Sequence, residues 1–225
     1  MTSFDTHTGL RRRRVAWTVV TVLSNAVGLY ALFLVLTNFA SVPGTVAENG
    51  VLAPWGLHVH IAAASLTLLA GPWQFNAALR GRVPRVHRTM GLLYLVGVLV
   101  GGTAGAVIAL GSSAGPAAGI AFLTLGATWV VVTVVAYLKV RAHDYESHRR
   151  WMLRSFALAF AAVTLRVYLE IGLAAGMEYT VVYPVVAWLS FIPNVIVIET
   201  WIRRRTVVDA PARPRAAVEA SVTSA

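Results

Sequence analysis

HRTMGLLYLVGVLVGGTAGAVIALGSSAGPAAGIAFLTLGATWVVVTVVAYLKVRAHDYESHRR, residues 87–150, decides the fold. No charged side chain occurs between Arg88 and Lys139, and basic residues crowd both ends. The segment holds two apolar runs, 90–110 and 117–140, joined by a short turn rich in Gly, Ser and Pro. Each run is long enough to cross a hydrocarbon core of ~30 Å at ~1.5 Å per residue. Working outward, four further runs of this kind cover 15–38, 57–79, 151–175 and 181–202. The 90–110 run, rich in Gly and Ala, is the least hydrophobic in character. The whole chain of 225 residues is 57% hydrophobic and 12% charged, with a mean hydropathy of +0.69. Soluble domains carry about a quarter charged residues. The expected fold is therefore all-α, a polytopic membrane bundle of six transmembrane helices.

Charge supplies the orientation. Of 19 basic residues, 18 are arginines and one is Lys139. They gather in Arg11–Arg14, in Arg80, Arg82, Arg85 and Arg88, in Lys139, Arg141, Arg149, Arg150 and Arg154, and in Arg203, Arg204, Arg205, Arg213 and Arg215. Every one except Arg166 thus falls on alternate connections, and the other three loops hold only Glu48 and Glu178. The positive-inside rule places the basic face, and with it both termini, in the cytoplasm. The expected location is a bacterial inner membrane, crossed several times. Three regions follow: a tail over 1–14, the bundle over 15–202, and a disordered tail over 203–225. Residues 1–10 are polar and read as mobile. The 39–56 loop carries Pro43, Gly44, Asn49-Gly50 and Pro54, all turn formers.

The net charge of +10 needs no nucleic acid to explain it, because no groove-reading module accompanies it. Topology and contact with anionic lipid account for the arginines. The absence of cysteine excludes disulfides, iron–sulfur clusters and thiolate-bound haem, while leaving haem held by histidine open. The run after Arg14 exceeds the 7–15 residues of a signal h-region, so it reads as an anchor helix.

Ionisable groups at membrane depth face a bundle interior or a cavity. Arg166 lies 16 residues beyond Arg150, ~24 Å along the helix, in the outer half of its span. Glu170 is positioned to pair with it at i, i+4, as a structural lock or as part of a site. At 100° per residue His148, Ser155, Ala159, Ala162 and Arg166 share one face, and His87 aligns with Gly91, Tyr94, Val98, Gly101 and Gly105. Two histidines thus start parallel helices at equal depth, each at the foot of a small-residue strip. Gly97, Gly101 and Gly105 make overlapping small-xxx-small steps that suit close helix packing. The same strips suit a flat macrocycle with opposed imidazoles as axial ligands. Of His58 and His60, 200° apart, His60 shares its face with Gln74 and is expected to point inward, near Arg166 and Glu170. Asn194 and Glu199 lie in the inner half of the last span, where Pro193 is expected to kink it. Gln74, His87, His148 and Glu199 share one depth, an inner-rim set that suits zinc, iron or copper.

Four segments carry a family resemblance: HIAAASLTLLAGPWQF at 60–75, RVPRVHRTMGLLY at 82–94, HRRWMLRSFALAFAAVTLR at 148–166 and WLSFIPNVIVIE at 188–199. Together they resemble the bacterial predicted membrane proteins called domain of unknown function 2306, over about 55–202. The resemblance implies a multi-span membrane protein. Its recurrent positions are matched by His60, Gln74, His87, Arg88, His148, Trp151, Met152, Arg166, Asn194 and Glu199. It implies no particular activity.

The leading functional expectation is a small membrane redox protein, binding haem b through His87 and His148 or exchanging electrons with quinone or another membrane redox protein. His60, Arg166 and Glu170 would then serve a proton or an anionic group. The alternatives are a transporter for a small solute or protons and a structural or accessory subunit. A two-haem arrangement needs four placed histidines, and the outer pair is incomplete.

Overall fold

The computed structural model describes residues 3–38, 55–112 and 114–208. The 39–54 turn formers and the tail beyond 208 lie outside the described residues. Within them the chain is helical throughout, in nine helices. In order they are α1 (Ser3–Leu36), α2 (Gly56–Gln74), α3 (Ala77–Arg82), α4 (Pro84–Ala109), α5 (Pro116–Arg141), α6 (Tyr145–Ala159), α7 (Ala161–Ala174), α8 (Tyr179–Leu189) and α9 (Ile192–Val208). Helix extends into both expected tails, starting at Ser3 and running to Val208.

Among the described residues five stretches are long and apolar enough to cross a membrane: Arg14–Leu36, Pro84–Ala109, Pro116–Arg141, Tyr145–Ala174 and Tyr179–Arg205. The expected 57–79 span is not among them. Its helix stops at Gln74, and the run that follows is a separate short helix. His58, His60, Pro72 and Gln74 dilute its apolar character. Asn76 then starts α3 by accepting the N–H groups of Ala78 and Leu79 with its side chain, at 2.9 and 3.2 Å.

Despite its dilution α2 is central. Its packing against α4 is the most extensive in the molecule, and α1 and α6 also lie against it. Glycines make this closeness possible. A methyl added at Gly97 would sit 2.8 Å from Thr67 Cγ2 and 3.0 Å from the Ala63 carbonyl oxygen. One at Gly101 would sit 3.2 Å from Ala63 Cβ. The expected small-residue packing is thus found, between α4 and α2. From α4 the bundle continues through α5 to α6, while α8 packs on α5 and α7, and α9 on α6.

Two of the spans are interrupted. The last divides between Leu189 and Ile192, where Pro193 has no N–H to give the carbonyl four residues back. A break in the helix thus falls where Pro193 is expected to kink the span. The span before it, unforeseen, divides at Phe160, whose carbonyl is shared by the N–H groups of Val163 (2.9 Å) and Thr164 (3.2 Å), a local tightening of the helix. Asn194 joins the two interruptions. Its amide nitrogen donates to the carbonyls of Ser190 (2.9 Å) and Ala157 (3.3 Å) and to Thr164 Oγ1 (3.1 Å). The Thr164 hydroxyl in turn donates to the Ser190 carbonyl.

Candidate functional site: a half-buried arginine and three anchored or orphaned histidine faces

In the half of the bundle away from the arginine clusters, α7 carries Arg166. It does not pair with Glu170. Nη1 donates to the Ala162 carbonyl one turn back, at 2.7 Å, and Glu170 is exposed. Helical side chains lean toward the N-terminus, so an arginine placed before a glutamate leans away from it. No carboxylate of the described residues lies within 4 Å of the guanidinium. Its electrostatic neighbours are His60 on α2, Tyr183 on α8 and Tyr30 on α1. The charge of Arg166 is thus felt at His60, while Glu170 is exposed and makes no ion pair with it. The structure adds Tyr183, half-buried and stacked on Tyr179 at 4.7 Å between ring centroids.

His60 points inward as expected. Its Nδ1 lies 2.7 Å from the Gly101 carbonyl, and its ring fills the space beside Gly105. A carbonyl only accepts, so Nδ1 carries the hydrogen and Nε2 keeps its lone pair. His58 meets the Asn38 side chain at 2.8 Å instead.

At the basic end, His148 repeats this anchoring. Nδ1 lies 2.8 Å from the Ala136 carbonyl, which again leaves Nε2 as the acceptor. His87 stands within electrostatic range of His148. Its buried Nδ1, and the buried Nε2 of Gln74, have no hydrogen-bond partner among the described residues. Gln74 lies against α4 at Gly91, one turn above His87, where an added methyl would come 3.3 Å from Oε1. The remaining inner-half polar residues have partners of their own. Glu199 is gripped by Arg154, through Nε to Oε1 and through Nη2 to Oε2 at 3.1 Å. Asn194 is the clamp between the interrupted spans. Among the described residues no three His, Asp or Glu side chains are grouped to hold a metal ion.

Above the two histidines the small-residue strips touch. Tyr94 Oη and Ser155 Oγ are 2.9 Å apart, and Ser155 Oγ and Thr133 Oγ1 are 2.6 Å apart. The Thr133 hydroxyl donates to the Trp129 carbonyl at 2.7 Å, which fixes the direction of the rest. Ser155 donates to Thr133, and Tyr94 donates to Ser155. All three side chains are buried, and their chain of hydroxyls ties α4, α6 and α5 together. With Gln74 against Gly91, side chains occupy the two strips at these levels. Sequence periodicity placed Tyr94 and Ser155 on the facing strips without pairing them, since phase on one helix says nothing of its neighbour. Thr133 and Tyr183 carry no sequence signal beyond being polar groups in apolar runs.

Neither the curated proteins nor the solved structures give a match. Residues 57–202 match a family described as predicted membrane protein, DUF2306, a stretch that begins at α2 and ends within α9. A membrane protein with several apolar helices, the chain belongs to the DUF2306 family of predicted membrane proteins.

Proposed function

We propose that this protein crosses a bacterial inner membrane six times, with both termini in the cytoplasm, and carries a small anionic solute past Arg166, alone or with a proton. One observation carries the reading: a half-buried guanidinium, set among α1, α2, α7 and α8, with no carboxylate of the described residues within 4 Å. A charge at membrane depth is costly unless paired, and such residues mark substrate and ion pathways. Guanidinium N–H groups suit carboxylate or phosphate oxygens. His60, anchored through Nδ1, offers Nε2 to an accompanying proton. The sixth crossing is α2. It runs 19 residues, ~28 Å, and it packs against α1 and α4 while Val59, Leu66 and Trp73 leave an exposed apolar stripe suited to lipid.

The test is reconstitution. Liposomes holding the protein, given concentration jumps of chloride, acetate and phosphate, should show a current or internal pH change for at least one of them. Arg166→Gln should cut that response at least roughly tenfold, since a charge-assisted contact is worth about 1.5–3 kcal/mol. His60→Gln should remove only the pH component. Silence from the unaltered protein toward all three anions, or an unchanged response in Arg166→Gln, would overturn the proposal.

A second reading, haem b or a quinone at His87 and His148, is favoured by the free Nε2 of His148 and the orphaned Nδ1 of His87. It is opposed by the side chains that occupy the strips above them. Protein expressed with ample haem should, on the transport reading, show no Soret band. A band lost in His148→Ala would reverse this order.

A further inference from the structure

The side of the bundle between α6 and α9 holds a cleft of about 690 Å³ that the transport site does not use. Arg150, Arg154 and Arg203 line it together with Ser147, Trp151 and Glu199. Three guanidiniums face one carboxylate among the lining residues, and Glu146 beside Arg150 leaves a net excess of one positive charge. The floor is rigid. Arg154 is held edge-on by both oxygens of Glu199, and its guanidinium lies over the Trp151 ring at 4.8 Å. The two walls are freer. Arg150 reaches Glu146 at only 3.5 Å, and that glutamate is 67% exposed. Arg203 is exposed, and its charge is felt at Glu199.

The charge balance selects an anion. Glu199 is already satisfied by the buried-side arginine, so the outer pair of guanidiniums is left to share a group with oxygens on several sides, as a phosphate has. The position selects a lipid as its carrier. The cleft lies at the level where the apolar runs give way to arginines. Trp151 and the buried Ile202 give it an apolar inner side, and Trp at that level is characteristic of a membrane–water interface. Basic pockets between helices at this height suit phosphate headgroups. We propose that the α6–α9 cleft binds the phosphodiester headgroup of an anionic phospholipid, clamped by Arg150 and Arg203 over the Arg154–Trp151 floor.

Native mass spectrometry of the purified full chain in detergent tests this, with dioleoylphosphatidylglycerol, dioleoylphosphatidylcholine and sodium phosphate as the added probes. The unaltered protein should retain phosphatidylglycerol about tenfold more tightly than phosphatidylcholine, as expected for two interfacial arginines. Arg150→Gln with Arg203→Gln should reduce that preference to less than about threefold. Arg82→Gln with Arg85→Gln, outside the cleft, should leave it intact. The first pair alters exposed or weakly paired groups, so its thermal midpoint should stay within a few degrees of the parent. Equal retention of the two lipids by the parent overturns the proposal, as does a preference that survives the first pair or falls equally in the second. Displacement of phosphatidylglycerol by millimolar phosphate also overturns it, by assigning the cleft to a free anion.

Discussion

At the scale of single residues, the side chains that matter are those whose hydrogen bonds leave no freedom of direction. Ser155 is one. It receives the Tyr94 hydroxyl and gives its own to Thr133, fully buried between three helices. Ser155→Ala strands the Tyr94 O–H without an acceptor and should lower stability by about 1–2 kcal/mol in mixed-micelle unfolding. Ser155→Gly, equally small but equally unable to bond, should do no better. Asp144 is another, outside the membrane segments. Its carboxylate accepts the Ser147 N–H at 3.0 Å at the start of α6, and Lys139 stands 3.7 Å away. The bond from Ser147, then the Lys139 charge, holds its pKa below the ordinary carboxylate value. A depressed acid stabilises the fold above its unfolded pKa, and that contribution is lost as pH falls through the folded value. Protection of the α6 amides against hydrogen exchange should therefore decline below about pH 4, and Asp144→Asn should flatten that decline. Histidine orientation was partly legible from sequence. Phase alone turned His60 inward, because its face also carried Gln74. The Arg166–Glu170 pair was misread because spacing of four satisfies distance without regard to the direction in which helical side chains lean.

At the scale of elements, the interrupted spans are the main departure from uniform rods. Pro193 announced one interruption. The other, at Phe160, has no Pro or Gly to announce it, and follows from a carbonyl shared by two N–H groups. Sequence places Asn194 only as a polar group in the inner half of its span, because depth along one helix is the one coordinate it gives. Its actual role needed the neighbour, α7. Asn194→Leu keeps the volume and removes the clamp. It should cost about 1–2 kcal/mol, and disulfide or spin-label distances between α7 and α9 should broaden. If Asn194 were a ligand rather than a clamp, the variant would alter binding and leave those distances sharp. Glycine spacing on α4 was read correctly as packing, and Gly97→Val should disrupt the α2–α4 contact by about 1–3 kcal/mol, since its added carbons meet the backbone at Ala63.

At the scale of the whole molecule, composition alone dictated an all-helical membrane protein. The count of crossings is more delicate, because α2 is too polar to qualify by itself and relies on its neighbours. Topology is the decisive measurement. Reporter fusions after residue 113 should be active outside the cytoplasm, and fusions after residues 82, 143 and 208 inside it. A fusion after residue 82 that reports the outside would remove α2 as a span. The interruptions also divide the bundle unequally. α2 and α4 form a glycine-sealed pair that carries His60. α7 and α8, packed on each other around Gly172 and Val182, form a hairpin that carries Arg166 and Tyr183. Along the chain this hairpin joins the rest of its two spans at Phe160 and at Ser190–Phe191, and Asn194 clamps it there through Thr164. From Phe160 to Arg166 the arm is six residues, about 9 Å. A tilt of about 10° at that fulcrum would swing the root of the arginine by roughly 1.6 Å, as much as separates a hydrogen bond from none. His60 would stay in place. The six residues between Phe160 and Arg166 therefore set the length of the arm, and any tilt there would move the charge by a throw fixed by where Phe160 falls.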